Sequence, residues 1–249
     1  VVSELGGITQ YSWVFTAYML GSTVTVPLYG KLGDVHGRKP LFIVSISIFL
    51  IGSALCGAAQ NMVELVVFRA IQGVGAGGLF PLTLAMVGMI VPPRDRGRYQ
   101  GLIGSVFAAA SIAGPLIGGF IVDNASWRWI FYVNIPVGIA AIAATYRFVR
   151  ESRDPNARRI DWAGQTALIG GLFLLVLALL RGNGDGWGSP AIVAELVGAA
   201  VLLIAFVGIE TRVKEPMLPL GLFRIKEFTG AQIAAFSISA SFFAVFLYT

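Results

Sequence analysis

The residue with the clearest chemical potential is Arg69, the only basic residue well inside a long apolar segment, residues 63–91. A charge buried in such a segment is costly, so it should face protein or water and mark a pathway or a relay. Gln72 lies one helical turn further on the same face, next to Gly73, and can share its hydrogen bonds. This spacing favours a coupling group of Arg69, Gln72 and Gly73. Snorkelling of Arg69 to a membrane interface is the alternative.

A second candidate set is charged and lies in the stretch GKLGDVHGRKP, residues 30–40. Its glycines permit a tight chain reversal, including backbone with positive φ. A carboxylate at a segment border needs a cation nearby; Arg38 is close enough in sequence to pair with Asp34, and Asp95 could bridge to Arg38. Such a cluster can break and re-form as a conformational latch, and a plain basic turn is the alternative. The candidate latch residues are Gly30, Asp34, Gly37, Arg38, Lys39 and Asp95.

Small residues form a third set in the segment 99–122. Ala110, Gly114 and Gly118 recur every four residues, which gives a stripe where another helix backbone can approach. Pro115 removes one hydrogen bond and bends the helix, and Gly119 extends the stripe. The alternative to a dynamic role for this stripe is close packing alone.

Other kinds of chemistry find little support in the sequence. The single histidine, His36, lies in a basic loop, which favours a solvated side chain over a proton carrier. The single cysteine, Cys56, excludes an intrachain disulfide and a cysteine-based metal cluster. No HExxH or GxSxG pattern and no pair of intramembrane carboxylates is visible. The glycine run at 73–78 imitates a dinucleotide-binding fingerprint, but no strand precedes it. We therefore expect no enzyme activity, no catalytic residues, no cofactor and no metal.

The elements that would position these residues are predicted to be membrane helices. The chain is 56% hydrophobic and 12% charged, with a mean hydropathy of +0.79, whereas soluble domains carry about 25% charged residues. About 20 apolar residues span a bilayer as a helix, and lipid leaves the backbone no other hydrogen-bond partner. The sequence predicts an all-α polytopic membrane protein with eight transmembrane segments: 11–32, 40–60, 63–91, 99–122, 129–148, 162–180, 191–210 and 228–249.

Charge asymmetry predicts the orientation of these segments. Fifteen of the 18 Lys and Arg residues fall in loops on one side, two (Arg128 and Arg181) fall on the other, and Arg69 lies within a segment. The positive-inside rule places the basic loops in the cytoplasm and residues 1–10 outside. We expect the protein to lie in the cell (inner) membrane. The net charge of +5 lies at membrane borders and forms no continuous basic face, so we expect no nucleic-acid partner. The fifteen are Lys31, Arg38, Lys39, Arg94, Arg96, Arg98, Arg147, Arg150, Arg153, Arg158, Arg159, Arg212, Lys214, Arg224 and Lys226.

The three sets together resemble motifs of the major facilitator superfamily. Residues 30–39 resemble its cytoplasmic signature between helices two and three, residues 69–77 its fourth-helix proton-coupling motif, and residues 114–119 its fifth-helix antiporter motif. The stretch WRWIFYVNIP, residues 127–136, resembles the entrance to helix six in the fourteen-helix drug:proton antiporter branch (EmrB/QacA type). Val35 stands where the signature usually has a basic residue, and Ala110 replaces a glycine of the antiporter motif.

The resemblance implies a partial major facilitator fold, truncated at both ends. Residues 1–148 would be an N-terminal bundle lacking its first helix. Residues 149–227 would be a linker with two extra transmembrane helices, and 228–249 would begin the C-terminal bundle.

The resemblance also implies proton-coupled export of a drug-like small molecule by alternating access. The partners would be that substrate, protons and the lipid bilayer, with a monomer expected. The alternatives are an importer of a small polar solute on the same scaffold and a non-transporting membrane interaction protein.

Overall fold

The computed structural model describes residues 1–7, 10–151, 161–213 and 220–248, and regular structure in this part of the chain is helical throughout. Four basic residues of the predicted cytoplasmic loops, Arg153, Arg158, Arg159 and Lys214, lie outside the described residues. Two short 3-10 helices, Pro93–Asp95 and Leu220–Arg224, lie in loops. The α-helices are α1 (Val2–Leu5), α2 (Tyr11–His36), α3 (Arg38–Ala58), α4 (Met62–Ile90), α5 (Arg96–Asn124), α6 (Trp129–Tyr132), α7 (Asn134–Phe148), α8 (Trp162–Asp185), α9 (Pro190–Glu210) and α10 (Lys226–Tyr248).

Six of the eight predicted segments are confirmed among the described residues as helices long and apolar enough to cross a membrane. These six comprise α3, α4, α5 with the 3-10 turn before it, α6 together with α7, α8 and α9. The helix α2 has 26 residues, but its Ser, Thr, Gly and Pro residues make it less apolar. The helix α10 has 23 residues, enough to span the hydrocarbon core.

The helix α4 lies between α2 and α3 and makes the most extensive helix contacts with both. Its glycine run explains this central position. A Cβ at Gly73 would meet the carbonyl of Tyr18 in α2, and one at Gly75 would meet the backbone of Phe49 in α3. Successive glycines point to different faces of a helix, so this run lets two backbones approach α4 from two directions. Small residues serve the same purpose in membrane bundles generally.

The remaining helices pack around this centre. The helix α7 packs on α3, and α8 and α9 form an antiparallel hairpin in which α8 contacts α2. The helix α5 stands apart, because none of its residues is buried in the described structure. The α2–α3 turn and the end of α7 lie at one end of the bundle, here called the basic end, where the Lys39 ammonium donates to the Tyr146 carbonyl at 2.9 Å.

One predicted boundary was wrong in detail. The reversal expected across residues 30–40 is confined to Gly37, because α2 continues to His36 and α3 begins at Arg38. Gly37 has a φ of 102°, which only glycine adopts without strain, whereas Gly30 is helical. The segment 129–148 has the predicted bounds, and it is divided into α6 and α7 at Val133, which keeps helical dihedral angles (φ −59°, ψ −25°). Pro136, near the start of α7, lacks the N–H that would continue the helical ladder there.

Candidate functional site

The candidate coupling site is centred on Arg69, in the third turn of α4. Asn61 precedes that helix, and its side chain accepts a hydrogen bond from the Glu64 amide at 2.9 Å, which caps the first turn. From this start, Arg69 points toward α2. Its Nε donates to the Val14 carbonyl at 3.3 Å, and its guanidinium carbon lies 4.0 Å from the centre of the Tyr18 ring.

The pairing of Arg69 with Gln72 expected from the sequence is present. The Arg69 Nη1 donates to Gln72 Oε1 at 2.7 Å. No carboxylate in the described part of the chain lies within salt-bridge distance of this guanidinium, since the ion pairs found there involve other arginines. The positive charge of Arg69 is therefore held by a neutral amide, a carbonyl and an aromatic face.

Gln72 continues the polar contacts into the bundle, where it is 2% exposed. Its Nε2 donates to Ser53 Oγ in α3 at 3.0 Å, and its Oε1 also accepts a weak bond from the Cys56 thiol at 3.9 Å. Asn134 Nδ2, at the start of α7, donates to the same Ser53 oxygen at 3.0 Å. Sequence reasoning missed Ser53 and Asn134. The available signals were that Ser53 is a hydroxyl residue inside an apolar segment and that Asn134 is an amide residue directly after WRWIFYV.

A cavity of about 360 Å³ opens beside Arg69. Its walls are aromatic and aliphatic side chains from α2, α4 and the α6 region, including Tyr11, Phe15, Trp127 and Phe131. Arg69 thus lies between an open cavity on one side and the buried amide of Gln72 on the other. Gly73, the third member of the predicted coupling group, contributes the close approach of α4 to α2 rather than a polar contact.

The latch residues cluster at the basic end only in part. The Arg38 Nη2 and Asp34 Oδ1 atoms are 2.7 Å apart, and Arg38 Nη1 also donates to the Ala85 carbonyl of α4 at 3.1 Å. Asp95 is not brought to Arg38: its ion pair in the described structure is with Arg94, at 3.7 Å. Arg38 consequently ties the end of α2 to α4 without Asp95.

A residue that the sequence did not single out, Glu151, lies against the α2–α3 turn. A Cβ built on Gly37 would be 2.5 Å from Glu151 Oε1. The carboxylate thus occupies the space that a side chain at position 37 would need. Lys39, two residues after Gly37, contacts α7 through the Tyr146 carbonyl, and its ammonium lies 5.2 Å from the centre of the Tyr146 ring.

The small-residue stripe of α5 faces open space. A Cβ added at Gly114, Gly118 or Gly119 would meet nothing within 4 Å, and Ala110 and Pro115 are exposed. The structure therefore gives these five residues no packing partner among the described residues, and their role as an antiporter seam stays a prediction.

The bundle end opposite the basic end carries a second ionic contact. Glu4 Oε2 accepts hydrogen bonds from the Trp127 indole at 2.9 Å and from Arg128 Nη1 at 2.8 Å, while Arg128 Nη2 donates to the Ala59 carbonyl at 3.0 Å. These bonds hold the pKa of the Glu4 carboxyl below its ordinary value, because both donors favour the ionised form. The contact joins the N-terminal residues to α3 and α6.

No group of three His, Cys, Asp or Glu side chains that could hold a metal ion occurs in the described structure. The polar contacts around Arg69 join α2, α3, α4 and the α6–α7 region through hydrogen-bond donors and acceptors.

Comparisons with known proteins agree on one family. The family model described as Major Facilitator Superfamily matches residues 1–249. The chain is 39% identical over 250 residues to multidrug resistance protein 3 of Bacillus subtilis (strain 168), covering 99% of this chain and 49% of that protein. It is 38% identical over 244 residues to the multidrug transporter protein MdtP of the same organism, covering 98% and 45%.

The chain is also similar to a fungal protein and to one solved structure. Efflux pump dotC of Dothistroma septosporum (strain NZE10 / CBS 128990) is 35% identical over 255 residues, covering 100% of this chain and 44% of that protein. The crystal structure of the human organic anion transporter MFSD10 (TETRAN) aligns with 74% of this chain and 43% of its own, at a TM-score of 0.55 and 17% identity. That likeness shows the fold. The chain spans about half the length of the curated relatives it matches.

Proposed function

The chain belongs to the major facilitator superfamily, and we propose that its protein exports drugs or other small amphipathic compounds in exchange for protons. Its family and the six membrane-capable helices among the described residues make it a multi-pass membrane protein with a partial major facilitator fold. The relatives named as multidrug transporters and efflux pumps support drug-like substrates. We infer the exchange for protons from the contacts around Arg69.

The observation that carries the proposal is the arrangement of Arg69. Its charge lies within a membrane-capable helix, beside a cavity of about 360 Å³, and its hydrogen bonds go to neutral acceptors. The energy of a guanidinium in this setting depends strongly on the protonation of any carboxylate that approaches it. In the described part of the chain, no carboxylate lies within salt-bridge distance of Arg69. Coupling requires that a proton or substrate bind the two conformations unequally, and we propose that Arg69 supplies this difference by exchanging partners between the two conformations.

In this scheme the sites have separate roles. Arg69, Gln72 and Gly73 couple protonation to movement of α4 against α2. Asp34 and Arg38, with Gly30, Gly37 and Lys39, latch one conformation at the basic end, and Asp95 joins them only in a conformation other than the one described. The stripe from Ala110 to Gly119 forms the seam against the second half of the transporter. We place the basic end in the cytoplasm, in accordance with the positive-inside rule.

The domain arrangement that fits this function has three parts. The helices α2 to α7 form the N-terminal bundle, the α8–α9 hairpin forms the pair of extra transmembrane helices in the linker region, and α10 begins the C-terminal bundle. In alternating access the two bundles rock around a site near the membrane midplane.

The test is transport by the full-length protein in proteoliposomes. With an imposed proton gradient, ethidium should move against its concentration gradient, and protons should move in the opposite direction at the same time. A protonophore should abolish both movements. Ethidium export that persists unchanged after collapse of the proton gradient would contradict the antiport mechanism, and no movement of any amphipathic cation tested would contradict export.

A further inference from the structure

A buried serine connects three elements around the coupling site. Ser53 is 0% exposed. Its hydroxyl donates to the Phe131 carbonyl of α6 at 2.8 Å and accepts from Gln72 Nε2 and Asn134 Nδ2, each at 3.0 Å. A hydroxyl has one donor and two acceptor positions, so every hydrogen-bonding position of Ser53 is occupied, and each partner belongs to a helix other than its own.

The other serines of α3 behave differently. Ser45 is also 0% exposed, yet its hydroxyl donates to the Phe42 carbonyl at 2.9 Å. Ser47 donates to the Ile43 carbonyl at 2.8 Å. A serine inside a helix commonly satisfies itself on its own preceding turn in this way. The hydroxyl of Ser53 differs from those of Ser45 and Ser47 in that all of its bonds cross to other helices.

Gln72 joins this serine to Arg69. Its amide oxygen accepts from Arg69 Nη1 at 2.7 Å, and its amide nitrogen donates to Ser53 at 3.0 Å. An amide held at both ends has one orientation, because rotating it by 180° would place N–H against N–H. The contacts run from Arg69 in α4 through Gln72 and Ser53 to Asn134 and Phe131 beside the α6–α7 junction.

We propose that Ser53 and Asn134 are positioning residues that fix the orientation of Gln72 and thereby hold the Arg69 guanidinium in register with the α6–α7 junction. This inference rests on the proposed coupling role of Arg69. Movement of Arg69 pulls on Gln72, and the shared Ser53 oxygen transmits that movement to α6 and α7. Phe131 strengthens the connection, since its ring centre lies 5.9 Å from the Arg69 guanidinium carbon.

The experiment compares Ser53→Ala with Ser45→Ala in the full-length protein. Both changes remove one fully buried hydroxyl from α3, but only the first removes bonds to other helices. Ser53→Ala and Asn134→Ala should lower the turnover of proton-driven ethidium export by about three- to tenfold, the range for one net hydrogen bond. The KM for ethidium should stay unchanged. Ser53→Cys, which keeps a weak donor of similar size, should recover part of the turnover, and Ser45→Ala should match the wild type.

A double-mutant cycle separates positioning from general packing. If Ser53 acts through Gln72, adding Ser53→Ala to Gln72→Ala should change turnover little further, because the connection is already broken. Additive losses in the double variant, or an equal loss in Ser45→Ala, would overturn the proposal.

A second readout does not depend on transport. The Cys56 thiol contacts Gln72 Oε1 at 3.9 Å and is 0% exposed, so loosening of Gln72 should speed its alkylation by N-ethylmaleimide. We expect faster labelling in Ser53→Ala and unchanged labelling in Ser45→Ala. Wild-type protein without proton-driven export would refute the proposed function, whereas unchanged Cys56 labelling in Ser53→Ala would refute the positioning role.

Discussion

Gly73 of α4 lies so close to the backbone carbonyl of Tyr18 in α2 that a Cβ at this position has no room. Gly77, one turn further on the same face, meets the Ser22 carbonyl and Thr25 in the same way. The two helices are therefore held at backbone contact along the segment that carries Arg69 and Gln72. The coupling site is built on the helix pair that makes the most extensive contacts in the described bundle.

Substitution of these glycines should separate α4 from α2. We expect Gly73→Ala or Gly77→Ala to cost about 1–3 kcal/mol through overpacking, because the obstructing atoms include backbone. The matched controls are Gly114→Ala and Gly118→Ala, where an added Cβ meets nothing within 4 Å. Thermal unfolding in detergent should show a lower midpoint for the α4 variants only. If the α5 variants instead increase proton leak in proteoliposomes without loss of stability, the predicted seam gains support.

The turn between α2 and α3 should tolerate no side chain. Gly37 has a φ of 102°, and its Cβ would be 2.5 Å from Glu151 Oε1. We expect Gly37→Ala to cost about 1–3 kcal/mol and to lower the melting temperature by roughly 2–4 °C per kcal/mol. Gly30→Ala is the control, since position 30 is helical with open space around it, and alanine favours a helix by about 1 kcal/mol over glycine. Equal melting temperatures for the two variants would contradict the described turn.

The Asp34–Arg38 pair should act as a weak latch. The two side chains are 41% and 14% exposed, so solvent screens the pair and its contribution is at most about 1 kcal/mol. Asp34→Asn should therefore shift the population of the latched state by no more than about fivefold. Alkylation of an introduced Ala85→Cys by a polar maleimide, measured in membranes, reports the exposure of the α4 turn that Arg38 contacts.

The exchange variant provides the control for the latch. Asp34→Arg combined with Arg38→Asp restores opposite charges and should return the alkylation rate only part of the way to that of the wild type, because an aspartate at position 38 cannot donate to the Ala85 carbonyl. A rate in the exchange variant that equals the sum of the two single effects would show that the pair has no latching role.

The contact of Glu4 with Trp127 and Arg128 should be sensitive to acid. The pKa of Glu4 is lowered from its ordinary value of 4.5, so the contact favours the folded form above that pH. Its contribution is lost as the pH falls through the still lower pKa of the folded protein. The Trp127 indole N–H resonance should therefore shift with a midpoint below 4.5. In Glu4→Gln this transition should be absent, and a midpoint above 4.5 in the wild type would contradict the geometry.

The sequence was sufficient to predict six membrane-capable helices among the described residues, because the apolar length that a helix needs is set by the thickness of the bilayer. It also predicted the hydrogen bond between Arg69 and Gln72, since residues three apart share a helix face. The partners of Ser53 were not predictable, because a serine usually bonds within its own helix, and which neighbour it meets depends on how α3, α4 and α6 pack in register.

The same reasoning explains why the latch was predicted only in part. Asp34 and Arg38 are only four residues apart, so their side chains meet even though Asp34 lies near the end of α2 and Arg38 begins α3. Asp95 lies beyond a 29-residue helix, and its distance to Arg38 depends on the angle and length of α4. The contact of Glu151 with Gly37 joins elements over 100 residues apart, and no local pattern indicates it.

The central claim is that Arg69 couples proton movement to export, and it is tested most directly by separating driven from undriven transport. In proteoliposomes holding the full-length protein, Arg69→Ala should lose accumulation against a gradient by at least about tenfold while retaining downhill ethidium movement. Arg69→Lys keeps the charge but not the planar donor set, so its accumulation of ethidium should lie between that of the wild type and that of Arg69→Ala. Undiminished proton-driven export by Arg69→Ala would contradict the account.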